Sequence, residues 1–415
     1  MTVLWFSLSP GGSVRRYSEE NYAQGWMASF EDVVKQVPEI DLHVAFVSKT
    51  EKASFLYDNV TYHPVFRSKK ALLEDRLTSG RKGYQGYLDR FLQIIDECNP
   101  DIIHIHGTEE CFGMIARYVE NIPIVYSLQG LINPYIEKFF SGLSFGQIWR
   151  YEDIFKKITL QGVFNQFRKF CHVGQREAIY LAEASNVLGR TAWDCNIAHL
   201  YNPNINYQVV NEPLRRPFYN VVWHKTTFGD DLQIVSTISG GYYKGFETLL
   251  KTASLLKCHG LKFSWSVIGL NTGDEIVNIS EKVTRINSLN VNVNLLGKKN
   301  AEQMADILSC SDIFCLVSHI ENSPNSLCEA MLVGLPCIST DVGGVSSILT
   351  SGKEGVLVQD GDPYALAGEI IHLQNNFDQA VELAENARAR AMSRHNYGNI
   401  RDELLSAYHS ILSDN

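Results

Sequence analysis

Short, mostly apolar runs recur along the chain, with amphipathic or mixed segments between them. The runs lie at residues 3–6, 42–47, 102–105, 124–128, 186–188, 232–238, 265–268, 293–296, 313–317 and 356–358. Such runs, rich in Val, Ile and Leu, are typical of strands buried on both faces of a parallel sheet. Helical patterns lie between or after them, at residues 19–36, 84–98, 246–256 and 379–412, the last with a break near residues 395–398. Strands and helices in alternation predict an α/β protein.

A change in composition divides the chain. Residues 201–231 are rich in Asn, Pro and Arg, which indicates a connecting segment. The 415 residues exceed one ordinary core, so two domains of roughly 200 residues each are expected. We place the boundary after Pro213, which gives a first domain of residues 1–213 and a second domain of residues 214–395.

Composition narrows the class of protein further. The net charge of −9 and the pI near 5.8 argue against nucleic acid as a general partner. Nine cysteines without a C-x-x-C pair indicate reduced thiols in the core. The chain starts directly with a strand pattern, and no uncharged apolar run reaches roughly 18 residues, so we expect a cytoplasmic protein.

The densest pattern follows the apolar run 313–317. The chain turns through Glu321 and Pro324 into an apolar-periodic helix that stops at Gly334. Backbone N–H groups at such a helix start, beside the carboxyl edge of a parallel sheet, form a good phosphate site. A structural alternative is a capping box, in which Glu329 only satisfies the backbone N–H of Ser326.

The whole string from Glu321, E-N-S-P-N-S-L-C-E-A-M, resembles the E-x7-E signature of retaining GT-B glycosyltransferases, especially family 4. The P-D-x-x-H-x-H run at residues 100–106 and the Lys244-Gly245 pair before a helix are similar to further motifs of that family. The resemblance implies two Rossmann-like domains whose parallel sheets face each other across a cleft. It also implies that a terminal helix, at about residues 396–415, returns to the first domain.

The resemblance further implies that the second domain binds a nucleotide diphosphate sugar. Lys244 and the backbone N–H groups of residues 325–327 would meet the diphosphate, Glu321 the sugar hydroxyls and Glu329 the ribose. Ser239 replaces an arginine usual in the family, so Lys298 or Lys299 would supply charge. The full donor-binding set is Gly11, Gly12, Lys244, Gly269, Gly297, Lys298, Glu321, Asn325, Ser326, Leu327 and Glu329.

The first domain would supply the acceptor side of the site. Gly11-Gly12 follows the first strand and allows close backbone contact with a ligand. His106 ends the strand 102–106, although a histidine there is often structural. Many relatives have a histidine where this chain has Gln129, which cannot take up a proton at neutral pH. The acceptor-side candidates are Gly12, His106 and Gln129, and the catalytic candidates are Glu321, Lys244 and His106.

The resemblance implies a retaining, metal-independent hexosyltransferase that needs no cofactor besides its co-substrate, with a UDP-sugar favoured. The resemblance also implies a glycan or lipid-linked acceptor, in cell-surface polysaccharide or glycolipid assembly. A GT-B sugar-nucleotide epimerase and a non-catalytic sugar-nucleotide-binding protein are the alternatives, and a nicotinamide dehydrogenase is weaker because no G-x-G-x-x-G follows the first strand. Asp360-Gly361-Asp362 resembles a metal motif of another glycosyltransferase fold, but Asp362-Pro363 reads better as a helix start.

Residues 144–172 interleave aromatic and basic side chains. One interpretation is peripheral contact with an anionic membrane at its inner face, which suits a lipid-linked acceptor. The other, favoured because Glu152 and Asp153 dilute the charge, is a helix packed on the first domain.

Overall fold

The structure is a computed structural model that describes residues 1–16, 25–50, 53–81 and 85–413. The chain forms two compact units. The first unit comprises Met1–Ile136, Ile158–Pro213 and His395–Asn415, and the second comprises Glu137–Lys157 and Leu214–Arg394. The short segment Glu137–Lys157 groups with the second unit, which sequence composition gave no reason to expect.

Strands occur where the apolar runs predict them. In chain order they are β1 Thr2–Ser7, β2 Asp41–Ser48, β3 Phe55–Tyr57, β4 Val60–Phe66, β5 Ile102–His106, β6 Ile124–Ser127, β7 Asn186–Gly189, β8 Asn206–Val209, β9 Leu232–Thr237, β10 Phe263–Ile268, β11 Val293–Gly297, β12 Ile313–Leu316, β13 Cys337–Thr340 and β14 Val356–Val358. Four of them, β3, β4, β8 and β13, lie outside the predicted runs, because they are too short or too polar for the pattern to reveal.

Helices connect most of these strands. In chain order they are α1 Trp26–Val34, α2 Lys69–Leu77, α3 Leu88–Cys98, α4 Ile132–Lys138, α5 Phe145–Tyr151, α6 Ile154–Ile158, α7 Val163–Glu183, α8 Ala192–Tyr201, α9 Pro217–Asn220, α10 Phe246–His259, α11 Glu275–Thr284, α12 Ala301–Cys310, α13 Asn325–Val333, α14 Pro363–Asn375, α15 Phe377–Arg394 and α16 Tyr397–Ser413. Of the predicted helices at 19–36 and 84–98, the parts at residues 19–24 and at Tyr84 lie outside the described residues.

The first unit is built on a sheet in the order β3-β4-β2-β1-β5-β6-β7-β8, in which β3 alone runs antiparallel to its neighbour among the described strands. Side chains on β1 alternate between two apolar layers. Leu4 and Phe6 pack in the layer that contains Phe91 of α3. Val3 and Trp5 pack in the layer that contains Leu404 of α16. Burial on both faces explains why β1 reads as a continuous apolar run.

The second unit has a parallel sheet in the order β11-β10-β9-β12-β13-β14. Its core centres on α13, whose Leu327, Ala330, Met331 and Val333 are buried as the periodicity of this segment predicts. The prediction of two parallel α/β units is therefore confirmed. In both sheets the parallel strands deliver their carboxyl ends to one edge, where the candidate residues lie.

Two local predictions are decided by the structure. Asp362 caps α14, because its side chain accepts hydrogen bonds from the N–H groups of Tyr364 and Ala365, with Pro363 in the first turn, as predicted. Residues 201–231 do not form a plain connecting segment, because they contain β8 and α9. Their polar composition concealed both elements, since neither is long enough to show a period.

Candidate functional site

Lys244 and Glu321, predicted from two separate motifs, meet in the second unit. Lys244 Nζ lies 2.6 Å from Glu321 Oε1, and the two side chains are only 20% and 8% exposed. Lys244 follows β9 and Glu321 follows the adjacent strand β12, so both lie at the carboxyl edge of the sheet. Burial alone would lower the pKa of Lys244, but the charge and hydrogen bond of Glu321 outweigh it and raise that pKa. The ammonium group is thus held charged in a confined position.

Gly245 explains why a glycine follows Lys244. Its φ is +73°, and a Cβ built there would lie 1.8 Å from the carbonyl oxygen of Val317, just after β12. Only a residue without a side chain allows this approach. The glycine thereby brings the Lys244 turn against the segment that carries Glu321, and the N–H of His319 donates to Tyr243 O at 2.8 Å in the same contact.

The helix start predicted to receive a phosphate is present, but its cap differs from the capping-box alternative. Pro324 occupies the N-cap position of α13 without a side-chain cap, and the N–H of Leu327 donates to Pro324 O at 3.1 Å. The half-buried Asn325 and Ser326 open the helix, where the first N–H groups have no intrahelical acceptor. The capping-box interpretation of Ser326 and Glu329 is wrong for this helix.

Glu329 instead forms a two-pronged ion pair with Arg215. Arg215 Nε and Nη2 donate to Glu329 Oε1 and Oε2, each at 2.8 Å. Burial raises the pKa of Glu329, and the charge of Arg215 opposes that rise. Arg215 lies within the predicted connecting segment at residues 201–231, where its composition suggested no role for it. No local signal could have paired it with a residue so distant in the chain.

Two predicted glycines lie side by side at the same edge. Gly269 follows β10, and its N–H donates to the carbonyl oxygen of Gly297, the last residue of β11, at 2.8 Å. Both have positive φ, +105° and +66°. Lys298, the next residue, is exposed at the end of β11. The structure therefore brings the predicted loop residues to one sheet edge, and their role towards a nucleotide stays a prediction.

A buried charge chain that sequence analysis missed lies two residues before Glu321. His319 Nε2 is 2.7 Å from Glu247 Oε1 and His319 Nδ1 is 2.6 Å from Asp360 Oδ1. Asp360 in turn binds Lys138 Nζ at 3.0 Å. Burial would lower the pKa of His319, but its hydrogen bonds to the carboxylates of Asp360 and Glu247 raise that pKa to about 9. The imidazolium fixes the backbone that leads to Glu321.

The glycine loop of the first unit contains an internal carboxylate. Glu31 of α1 accepts a hydrogen bond from the N–H of Gly12 at 2.9 Å and from Tyr62 Oη at 2.7 Å. A Cβ at Gly11 or Gly12 would lie 2.2 or 2.3 Å from a Glu31 oxygen. Burial is the main reason that the pKa of Glu31 is raised. The glycines thus make room for this carboxylate, whose contact with the loop has no local signature in the chain.

His106 and Gln129 line one small pocket of the first unit, together with Arg190. His106 is 6% exposed, and neither ring nitrogen has a hydrogen-bond partner among the described residues. Burial, with His104 adding to it, lowers the pKa of His106 well below its usual range, so the ring is neutral. Arg190 Nη2 donates to Gln129 O at 2.9 Å and fixes the position of that residue. His106 and Gln129, two of the three acceptor-side candidates, therefore line the same pocket.

Glu109 adds a carboxyl that sequence analysis did not single out. It follows β5 by three residues, accepts a hydrogen bond from the N–H of Gly130 at 3.4 Å, and would lie 2.1 Å from a Cβ at Gly107. Burial, with the charge of Glu177 adding to it, raises the pKa of Glu109 to about 7. The sequence signal that could have identified Glu109 is its place directly after the H-x-H strand.

The aromatic and basic segment at 144–172 forms α5, α6 and the first half of α7. In the second unit, α5 packs against α11, Lys156 Nζ pairs with Glu275 Oε2 at 2.9 Å, and Ile148 is buried. Phe145, Trp149, Ile154 and Phe155 are 40%, 43%, 70% and 66% exposed. Within the described ranges, each helix is too short or too polar to cross a bilayer.

Two sequence families match successive parts of the chain. The family described as "Glycosyl transferase 4-like" matches residues 26–146, and the family "Glycosyl transferases group 1" matches residues 224–390. The second match contains Lys244, Glu321 and Glu329.

Curated relatives match over part of their length. N-acetyl-alpha-D-glucosaminyl L-malate synthase of Bacillus anthracis is 31% identical over 119 residues, which cover 29% of this chain and 31% of that protein. The putative colanic acid biosynthesis glycosyltransferase WcaL of Salmonella typhimurium is 24% identical over 190 residues, covering 44% and 46%. The chain thus spans less than half of either relative.

Solved structures match over almost the whole chain. Sucrose-phosphate synthase of Thermosynechococcus elongatus aligns with a TM-score of 0.72 and 13% identity, covering 100% of both chains. HepE of Anabaena, in complex with UDP and glucose, aligns with a TM-score of 0.66 and 17% identity, covering 99% of this chain and 100% of that one. At these identities the likeness shows the fold.

Proposed function

Because the chain belongs to the GT-B glycosyltransferases of the group 1, family-4-like type, we propose that it moves a hexose-type sugar from a nucleotide diphosphate sugar to a hydroxyl acceptor, with retention of anomeric configuration. The observation that carries the proposal is the Lys244–Glu321 pair at 2.6 Å. In this proposal the pair supplies a cation for the leaving diphosphate and a carboxylate for sugar hydroxyls, and Glu321 precedes the start of α13 by four residues.

The chemistry requires stabilisation of charge on both sides of one bond. As the bond from anomeric carbon to diphosphate oxygen breaks, negative charge grows on the diphosphate and positive charge on the sugar ring. Lys244 turns from Glu321 towards the diphosphate, and the N–H groups at the start of α13 complete the anion site. Glu321, released from the ammonium, accepts hydrogen bonds from the sugar. The acceptor hydroxyl bonds to the anomeric carbon on the same face and gives its proton to the departing phosphate oxygen.

We propose that this reaction needs no divalent metal. The acidic motif that the sequence offers for a metal is Asp360-Gly361-Asp362, and both of its carboxylates have partners in the protein. Asp360 binds Lys138 and His319, and Asp362 caps α14. Positive charge for the diphosphate then comes from Lys244, the helix start and exposed lysines such as Lys298. Full activity after treatment with a chelator is the expected result, and a loss that Mg²⁺ or Mn²⁺ reverses would contradict it.

A UDP-sugar is the donor to test first, because HepE of Anabaena, which shares the fold, is described with UDP and glucose. The experiment is a thermal-shift panel of UDP-, GDP- and ADP-sugars, in which a bound donor raises the melting temperature according to its affinity. The binding donor is then incubated with glycan and lipid-linked acceptors, and NMR of the product reports the anomeric configuration. Interconversion of the free nucleotide sugar would indicate an epimerase, and binding without hydrolysis or transfer a non-catalytic protein.

We further propose that the acceptor belongs to surface polysaccharide or glycolipid assembly and is met at a membrane face. The support is the exposed apolar group Phe145, Trp149, Ile154 and Phe155 of the second unit, with Arg150 and Lys157 among them. Ile154→Asp with Phe155→Asp should reduce co-sedimentation with anionic vesicles several-fold. The control Leu289→Asp alters a side chain of this unit that is 71% exposed and lies outside residues 144–172. Equal sedimentation of both variants would contradict the membrane proposal and leave the transfer reaction untouched.

A further inference from the structure

Three side chains that bind metals well converge on one face of the first sheet, beneath α3. His43 Nδ1 of β2 lies 2.9 Å from His63 Nε2 of β4. Cys98 Sγ, from the last residue of α3, lies 3.3 Å from each of these two nitrogens. The neighbouring positions of the same layer, Ala45 and Val65, are apolar core residues. The two histidines and the cysteine therefore interrupt an apolar layer with a compact N₂S group.

The outward ring nitrogens of both histidines already face oxygen atoms. His43 Nε2 lies 3.4 Å from Asp41 Oδ2, and His63 Nδ1 lies 3.0 Å from Ser54 Oγ. In metal sites, a histidine ligand usually donates its second N–H to a carboxylate, carbonyl or hydroxyl, which fixes the ring and directs the other nitrogen to the metal. Asp41 and Ser54 suit that pattern. The other two ring nitrogens, His43 Nδ1 and His63 Nε2, then face each other and can bind the same ion.

We propose that His43 Nδ1, His63 Nε2 and Cys98 Sγ bind a zinc ion, with solvent as the fourth ligand. Zn–N bonds near 2.0–2.1 Å and Zn–S bonds near 2.3 Å place tetrahedral ligands about 3.3 Å apart for two nitrogens and about 3.6 Å apart for nitrogen and sulfur. The observed 2.9 and 3.3 Å require the three side chains to open by a few tenths of an ångström. On binding, the Zn–S bond forms and the thiol proton passes to solvent.

Zinc suits this donor set better than the hard cations do. Imidazole and thiolate are preferred by Zn²⁺, whereas Mg²⁺ and Ca²⁺ take oxygen ligands. An ion can reach the site from solvent, because the His43 side chain is 15% exposed and Cys98 is half-buried, while His63 is 5% exposed. The nearest basic side chain on α3, Arg90, pairs with Glu97 Oε1 at 3.2 Å.

The position of the site indicates a structural function. His43 is the third residue of β2, whereas the acceptor-side candidates of this unit follow the carboxyl ends of β1, β5 and β6. A zinc ion there would join β2, β4 and the end of α3 in one cross-link. It would stabilise the half of the sheet that ends in the short antiparallel strand β3, and it is independent of the proposed sugar transfer.

The test uses tag-free full-length protein that is stripped with a chelator, incubated with Zn²⁺ and desalted. Mass spectrometry of the metal content should give about one zinc per chain, and Cys98→Ser and His63→Gln should each reduce it at least tenfold. Cys258→Ser, at an exposed cysteine, is the matched control and should retain the zinc. Co²⁺ in place of Zn²⁺ should give a thiolate-to-metal absorption band in the wild type and in Cys258→Ser, and no such band in Cys98→Ser.

Circular dichroism identifies any variant that fails to fold, and His43→Gln then takes its place as the second ligand variant. Zinc should also raise the melting temperature of the wild type and of Cys258→Ser. Equal zinc in the wild type and Cys98→Ser, or no retained zinc and no cobalt band in the folded wild type, would overturn the proposal. The trio would then be a hydrogen-bonded group only, in which one imidazole donates to the other.

Discussion

The carboxylate of Glu321 holds Lys244 in a confined position of the second unit. Its ammonium is mostly buried and has Glu321 Oε1 as a partner at 2.6 Å. A buried ion pair contributes little to stability on balance, because the attraction is largely offset by the loss of hydration. Under the proposed function, the diphosphate would replace the carboxylate as partner of the ammonium, which gives the pair a role besides stability.

Replacement of Lys244 should cost more catalytic efficiency than replacement of Glu329. Negative charge grows on the diphosphate in the transition state and not on the ribose, so Lys244→Ala should lower kcat/KM by about 10²–10³. Glu329→Ala should act chiefly on KM for the donor. Lys251→Ala, at an exposed lysine of α10, is the matched control. Steady-state kinetics that gave the larger loss for Glu329→Ala would contradict the assigned roles.

His319 should make stability depend on pH. Its pKa is raised to about 9 in the folded state, from 6.5 in the unfolded chain. Its contribution is thus fully present below about pH 6.5 and is lost as the pH rises through about 9. The shift corresponds to about 3 kcal/mol, so the excess stability of the wild type over His319→Gln should shrink by that order between about pH 6 and about pH 9.5.

Urea unfolding at both pH values measures this change, and His259→Gln, at an exposed histidine, serves as the control. The free energy of unfolding of the control should follow that of the wild type. If His319→Gln followed it as well, the charge chain from Glu247 to Lys138 would have no part in the pH dependence.

At the scale of elements, the turn before α10 depends on a glycine that has no space for a side chain. Gly245→Ala would add left-handed strain of about 1–2 kcal/mol and also place Cβ 1.8 Å from Val317 O. We expect a loss of stability well above the strain alone, together with a raised KM for the donor, because Lys244 and Glu321 would separate. Denaturant unfolding and donor kinetics measure the two effects.

Gly260, at the other end of α10, provides the comparison. Its φ is +88°, but nothing lies within 4 Å of a Cβ built there. Gly260→Ala should therefore cost only the strain, about 1–2 kcal/mol, and leave donor kinetics unchanged. Equal losses for the two variants would show that the contact with Val317 is unimportant.

For the whole molecule, the first unit is completed only by the last helix of the chain. The hydroxyl of Tyr408 in α16 accepts a hydrogen bond from Trp5 Nε1 at 3.0 Å and lies 2.6 Å from His104 Nδ1. Ile400, Leu404 and Ile411 are buried in the same apolar layer as β1. Burial of these three side chains contributes roughly 5–9 kcal/mol.

A chain that ends at Arg394 should accordingly lose the structure of its first unit and keep that of its second. Hydrogen exchange would show this as lost protection in peptides from β1 and β5, with protection retained in β9 and β12. Retained protection of β1 in the shortened chain would mean that α16 is dispensable.

Tyr408→Phe, which keeps the ring and removes the hydroxyl, should lower the free energy of unfolding by only about 1–3 kcal/mol.

The sequence by itself determined ten of the fourteen described strands, the α/β class, and the two motifs around Lys244 and Glu321. Those features depend on local periodicity and turn chemistry, which neighbouring residues contain in full. Tertiary structure alone decided which charged groups find which partners. Arg215 binds Glu329, Asp360 and Glu247 bind His319, and Glu31 binds the Gly11-Gly12 loop. It also decided that His43, His63 and Cys98 meet, and that residues 137–157 belong with the second unit. These outcomes depend on which strands and helices become neighbours, and that information is spread over the whole chain.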